Sequence, residues 1–140
     1  MRSNTDHYYT TDPKDMSDSG YRFEGITGYL YPEKFAHTIA LHHWFNSALG
    51  DNFYTVDEPH PPSTDGYDYK GIVGYIYQKA ARGTAPLLRW YLKGRGDHFY
   101  TTNPGGEIAP VTGYIFEGVT GYLFPEPVEG TIPLFRWYKG

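Results

Sequence analysis

The chain contains no cysteine in its 140 residues. That excludes a disulfide scaffold and thiolate-ligated zinc, and it points only weakly to a reducing compartment. No stretch approaches the roughly 18 consecutive apolar residues of a membrane span. The opening residues 1–6 lack the apolar core of a secretory signal. Membrane insertion is therefore not expected, and the expected location is the cytoplasm. Basic clusters are also missing: 12 Lys and Arg are scattered among 16 Asp and Glu, for a net charge of −4. Nucleic-acid binding needs a basic stripe that releases counterions, so no nucleic-acid partner is expected.

Enzyme signatures are equally scarce. There is no His-Glu-x-x-His, no Gly-x-Ser-x-Gly and no Gly-rich phosphate loop opening a helix. His42-His43 is a weak metal pair, because neighbouring residues of a strand face opposite ways. Neither a metal nor another cofactor is expected, and the chain is read as a non-enzyme. Helical periodicity is absent too: no run of about ten residues keeps it without Gly or Pro.

What the chain has in quantity is Tyr (15), Gly (17) and internal repetition. Leu41-His42-His43-Trp44-Phe45 recurs as Leu87-Leu88-Arg89-Trp90-Tyr91 and Leu134-Phe135-Arg136-Trp137-Tyr138. Asp6-His7-Tyr8-Tyr9-Thr10 recurs as Asp51-Asn52-Phe53-Tyr54-Thr55 and Asp97-His98-Phe99-Tyr100-Thr101. A Gly-Tyr-rich segment at 20–31 recurs at 66–77 and 113–124. The three Trp are 46 and 47 residues apart, so three repeats, about 1–46, 47–92 and 93–140, fill one domain.

Each repeat reads as four short strands, about twelve in all, with Glu24-Gly25, Lys70-Gly71 and Glu117-Gly118 as hairpin turns. The chain begins just before one strand type and ends on the strand type that precedes it. Residues 134–138 should therefore pair with 7–11 and close the structure on itself, removing exposed edges. An all-β, closed β-trefoil-like barrel is the expected fold, with a three-bladed propeller-like ring as the alternative.

The candidate site residues follow the repeat. His43, Arg89 and Arg136 lie between apolar neighbours and need a partner. Either each pairs structurally with Asp51, Asp97 or Asp6, or the same groups offer donors and acceptors to sugar hydroxyls. Asp6-His7, Asp51-Asn52 and Asp97-His98 either cap a turn or present a carboxylate beside a planar hydrogen-bonding group. Asn52 keeps that bonding capacity without acid–base capacity, which favours binding over catalysis. Trp44, Trp90 and Trp137 either fill the core or stack on a sugar face. Glu24 and Glu117 are additional candidates, whereas Lys70 reverses the charge and Val56 loses a hydroxyl, so the second repeat should carry an altered site.

The Asp-His-Phe-Tyr-Thr-Thr segment, followed by Gly-Tyr-x-Phe-Glu-Gly-Val-x-Gly-Tyr and accompanied by Leu-x-Arg-x-Tyr, resembles a repeat family of uncharacterised function. That family occurs in fungal proteins and as modules on bacterial secreted proteins, and the resemblance covers essentially the whole chain. His43, Asn52 and Lys70 depart from its pattern. The resemblance implies a carbohydrate-binding β-repeat similar to a small cytoplasmic fungal lectin serving in defence, with release to reach external glycans. The expected function is multivalent, metal-independent recognition of glycans or glycoproteins by a monomer or small homo-oligomer. The alternatives are a trefoil-type protease inhibitor using the Pro-containing loop 57–65, and a cell-wall adhesion module.

Overall fold

The structure, a computed structural model, describes residues 6–14, 20–56, 66–94, 96–107 and 109–139. The loop 57–65, the candidate inhibitory segment, lies outside the described residues. Nine strands are described: β1 (Asp6–Thr10), β2 (Arg22–Leu30), β3 (Thr38–Asn46), β4 (Asp51–Thr55), β5 (Asp68–Tyr77), β6 (Ala85–Leu92), β7 (Asp97–Thr101), β8 (Ile115–Leu123) and β9 (Ile132–Lys139). Among the described residues there is no α-helix, only a 3-10 turn at Ala109–Thr112. The protein is all-β.

Nine strands stand where twelve were expected, because the presumed hairpins at 24–25, 70–71 and 117–118 are not turns. Each lies inside one continuous strand, β2, β5 or β8. Glu24 is an extra residue between the pairs Phe23–Trp137 and Gly25–Arg136. Lys70 and Glu117 are the extra residues at the same place against β3 and β6. These are β-bulges, which bend a strand and re-aim one side chain. The following glycines, Gly25, Gly71 and Gly118, sit at φ near 120°, where a side chain would be strained.

The strands group into three equivalent units of inner, middle and outer strand: β1-β9-β2, β4-β3-β5 and β7-β6-β8. The first unit joins the two ends of the chain. β9 pairs antiparallel with β1, His7 opposite Tyr138 and Thr10 opposite Phe135. The other two units form one six-stranded sheet through the single pair Tyr77–Tyr122. Tyr31–Tyr75 and Tyr29–Phe124 are the equivalent bridges from the tip of β2. No closed barrel forms among the described residues; the two sheets are held together by these tips and by the core.

The inner strands face one another around a common centre. Tyr9, Tyr54 and Tyr100 form a ring of edge-on aromatics with centroids 5.3–5.4 Å apart. Each hydroxyl accepts a neighbouring strand's backbone N–H and donates to that same residue's carbonyl, at 2.7–3.0 Å. Six buried backbone groups are satisfied this way with no sheet pairing between the inner strands. Leu30, Ile76 and Leu123, with Leu41, Leu87 and Leu134, continue the core, each about 1 % exposed. At Gly74 a Cβ would come within 2.1 Å of Leu30 Cδ1, and Gly28 and Gly121 repeat that close approach. The three units can pack this tightly only with glycine there.

Candidate functional site

Asp6, Asp51 and Asp97 open the inner strands and converge, one carboxylate oxygen of each within 4.8 Å of the others. All three are buried, at 3 %, 0 % and 0 % exposure. Each accepts a hydroxyl of its own unit's Tyr: Tyr21 on Asp6, Tyr67 on Asp51 and Tyr114 on Asp97. Each also holds the residue after the next aspartate. Asp51 accepts the backbone N–H of His98 at 2.8 Å and lies 2.6 Å from its Nδ1. Asp97 does the same for His7 at 2.9 and 2.7 Å. Asp6 accepts Asn52 Nδ2 at 2.8 Å. The aspartates therefore tie each unit to its neighbour.

The ring is broken at Asp6. Asn52 Nδ2 stands where His7 and His98 offer a ring nitrogen, and Asp6 Oδ1 is a buried oxygen that receives no hydrogen bond of ordinary geometry among the described residues. Burial, with the charges of Asp97 and Asp51, pushes the Asp6 carboxyl up to about 8, against the opposing bonds from Tyr21 and Asn52. Burial also raises Asp51, although its bonds from His98 and Tyr67 oppose the shift. The other five oxygens of this set already accept protein donors, so the cluster is a hydrogen-bonded lock rather than an open cation cage.

Outside the lock, the histidines present Nε2 to clefts between units. In the first cleft His7 Nε2 lies 3.7 Å from Glu24 Oε1, and Arg136 Nε donates to the same oxygen at 3.0 Å. The other face of the Arg136 guanidinium makes a fork with Glu107, both bonds 2.9 Å. Its carbon sits 4.8 Å over the Phe99 ring of the neighbouring unit. With Arg22, Tyr114, Tyr138 and Leu92 these groups line a cleft of about 580 Å³. The Arg136 bonds hold the Glu107 carboxyl below its ordinary range.

The second junction between units, called the second cleft below, repeats the arrangement of side chains. His98 Nε2 lies 3.4 Å from Glu117 Oε1, Arg89 Nε donates to that oxygen at 3.0 Å, and the Arg89 guanidinium lies 5.0 Å over Phe53. Burial disfavours the His98 imidazolium, but the bonds to Asp51 and Glu117 outweigh it and raise His98. Burial likewise opposes ionisation of Glu117, yet His98 and Arg89 leave it below its usual range. In the third cleft His43, Asn52 and Lys70 stand in these places. His43 Nε2 lies 2.7 Å from Asn52 Oδ1, and its ring stacks on Tyr54 at 4.6 Å.

The expected site residues thus divide into two shells. His7, His98, Arg89, Arg136, Glu24 and Glu117 come together at clefts, with His43 at the third. Asp6, Asp51 and Asp97 lie beneath, inside the lock with Asn52. The alternative pairing of each Arg with an Asp is replaced: both arginines pair with the bulge glutamates, because the bulge turns Glu24 and Glu117 onto the arginine face. Trp44 and Trp137 are buried and Trp90 is half-buried, packed edgewise on Tyr69, Phe23 and Phe116. Phe23, Tyr69 and Phe116 are themselves exposed, as is Phe35. Glu107 was not expected. It sits in a connection that differs between copies, and no in-register residue marks it.

A family model described as "Domain of unknown function (DUF5648)" matches residues 1–77 and again 62–140. The chain belongs to that family. No curated protein and no solved structure matches it.

Proposed function

We propose that this member of the DUF5648 family is a non-catalytic carbohydrate-binding protein whose sites are the clefts between its three units. The ring reads as three three-stranded blades about Tyr9, Tyr54 and Tyr100, nearer to the propeller-like alternative than to a trefoil. One observation carries the functional reading: an oriented His, Arg and Glu over a neighbouring unit's aromatic ring occurs at two separate junctions between units. The Phe99 and Phe53 rings are buried beneath the guanidinium groups and hold them flat, and fixed planar donors and acceptors of this kind suit a ring of hydroxyls. The Arg–Glu pairs leave the cleft close to neutral while keeping directional hydrogen bonds.

Repetition supports binding over chemistry. Two like sites on one rigid body raise avidity for clustered glycans without requiring a tight single site. His7 and His98 are oriented by buried carboxylates as a general base would be, but no Ser, Cys or Thr hydroxyl or thiol is bonded to either Nε2 among the described residues.

The test is a glycan array probed with the wild-type protein and an Arg89→Gln, Arg136→Gln double variant checked for folding by circular dichroism. Selective binding to uncharged glycans, lost in the double variant, is expected. Binding that survives the double substitution, or a blank array from folded wild type, would overturn the reading.

A further inference from the structure

The third cleft is not a weakened copy of the other two. We infer that it takes an anionic group, a carboxylate or sulfate ester carried on a sugar ring, where the others take uncharged rings; this rests on the carbohydrate reading above. The cleft, about 160 Å³, is lined by Tyr8, Thr10, Thr11, His43, Lys70 and Ile72 together with Tyr9, Gly71 and Val73. None of these residues is acidic.

Two differences favour an anion, and a third fixes the shape of the cleft. At the bulge, Lys70 replaces Glu24 and Glu117, so the side chain re-aimed by the strand is a cation rather than an anion. Lys70 is exposed, and it makes no ion pair among the described residues, whereas Arg89 and Arg136, at the position His43 holds here, are each matched by glutamate. The aspartate lock fixes the third difference. Asn52 Nδ2 donates to Asp6, which turns Asn52 Oδ1 toward His43. An amide oxygen only accepts, so His43 Nε2 carries a proton and donates it to Asn52, which holds the ring in place against the cleft wall.

Histidine in place of arginine also shortens the side chain and leaves Tyr8, rather than a guanidinium, on the cleft wall. The Thr11 hydroxyl, half-buried at the cleft, can serve the sugar's own hydroxyls. A compact ammonium with a hydroxyl nearby suits a point anion, whereas Arg136 already makes a fork with Glu107 and a single bond to Glu24.

The test is backbone amide NMR of the intact chain titrated with sodium glucuronate, glucose 6-sulfate and glucose. Both anions are expected to shift the amides of Thr11, Gly71 and Ile72, with glucose at equal concentration leaving them unmoved. Lys70→Glu should weaken the anion effect about tenfold, since it removes one attraction and adds one repulsion, and salt should weaken it in wild type. Response to only one anion would identify carboxylate or sulfate as the source. Equal shifts with glucose, or an unchanged response in Lys70→Glu, would overturn the inference. The carbohydrate reading fails separately, if no sugar of any charge moves the amides lining the first cleft around Glu24 and Tyr138.

Discussion

His7 Nδ1 lies 2.7 Å from Asp97 Oδ2, across 90 residues of sequence. The bond joins the first strand of the chain to the inner strand of the third repeat, and its other end, His7 Nε2, faces the cleft. One side chain thus serves both the lock and the candidate site. The lock orients the surface group, so disturbance of the centre should be felt in the clefts.

Tyr100→Phe removes the hydroxyl that accepts Tyr54 N–H at 2.7 Å and donates to Tyr54 C=O at 2.8 Å. Two buried backbone groups lose their partner. A loss of about 2–4 kcal/mol is expected in urea unfolding, at the upper end for a single hydroxyl because both orphans are buried. A change below about 1 kcal/mol would mean that the ring relaxes to find other partners.

Gly74→Ala forces a Cβ against Leu30 Cδ1 and within 3.0 Å of the Tyr31 carbonyl oxygen. Leu30 can move, but the backbone oxygen belongs to the bridge that holds two outer strands together. Destabilisation of about 1–3 kcal/mol is expected by thermal or urea melting. Gly71→Ala should also destabilise, through its positive φ rather than through contact, since nothing lies near its Cβ.

Stability should peak in mildly acidic solution. Asp6 is raised to about 8 in the fold against an unfolded value near 3.9. The folded state therefore holds a proton that the unfolded chain releases, and stability falls as pH rises between about 4 and 8. The raised Asp51 and His98 act in the same sense. Glu107 and Glu117, both lowered, act oppositely, their contribution being present above about 4.5 and lost as pH falls through their folded values. Melting temperatures measured from pH 4 to 9 should decline on the alkaline side, and Asp6→Asn should flatten that decline. A wild-type curve rising to pH 9 would contradict the assigned burial of Asp6.

Glu107→Gln removes the charge from the Arg136 fork while keeping the shape of the side chain. Because the pair is solvent-accessible, stability should change by no more than about 1 kcal/mol. Binding of uncharged glycans at the first cleft should weaken several-fold, and the second cleft, with its own glutamate, should be unaffected. Isothermal titration with a monovalent fragment of an array hit would read this directly.

The repeat was legible from residues alone, because equivalent units need equivalent side chains to pack around one centre. Asp6, Asp51 and Asp97 could be placed in register on that basis, and so could the meeting of residues 134–138 with 7–11. The bulges were not legible. A Glu-Gly pair between apolar runs is also a hairpin signal, and only cross-strand pairing to Trp137 and Arg136 shows that the strand continues through it. Glu107 left no trace in the repeat, since its role comes from a connection folding over a different unit.

Sequence alone determined that the chain is β-structured, cysteine-free and internally repeated, with one repeat chemically different at His43, Asn52 and Lys70. Those properties are local, set by residue type and spacing. Tertiary structure decided which groups are inside and which outside. Asp and Glu look alike as candidate sugar ligands in a one-dimensional pattern. Burial at the meeting point of three inner strands made the aspartates the lock, and a one-residue bulge on each outer strand brought Glu24, Lys70 and Glu117 to the clefts.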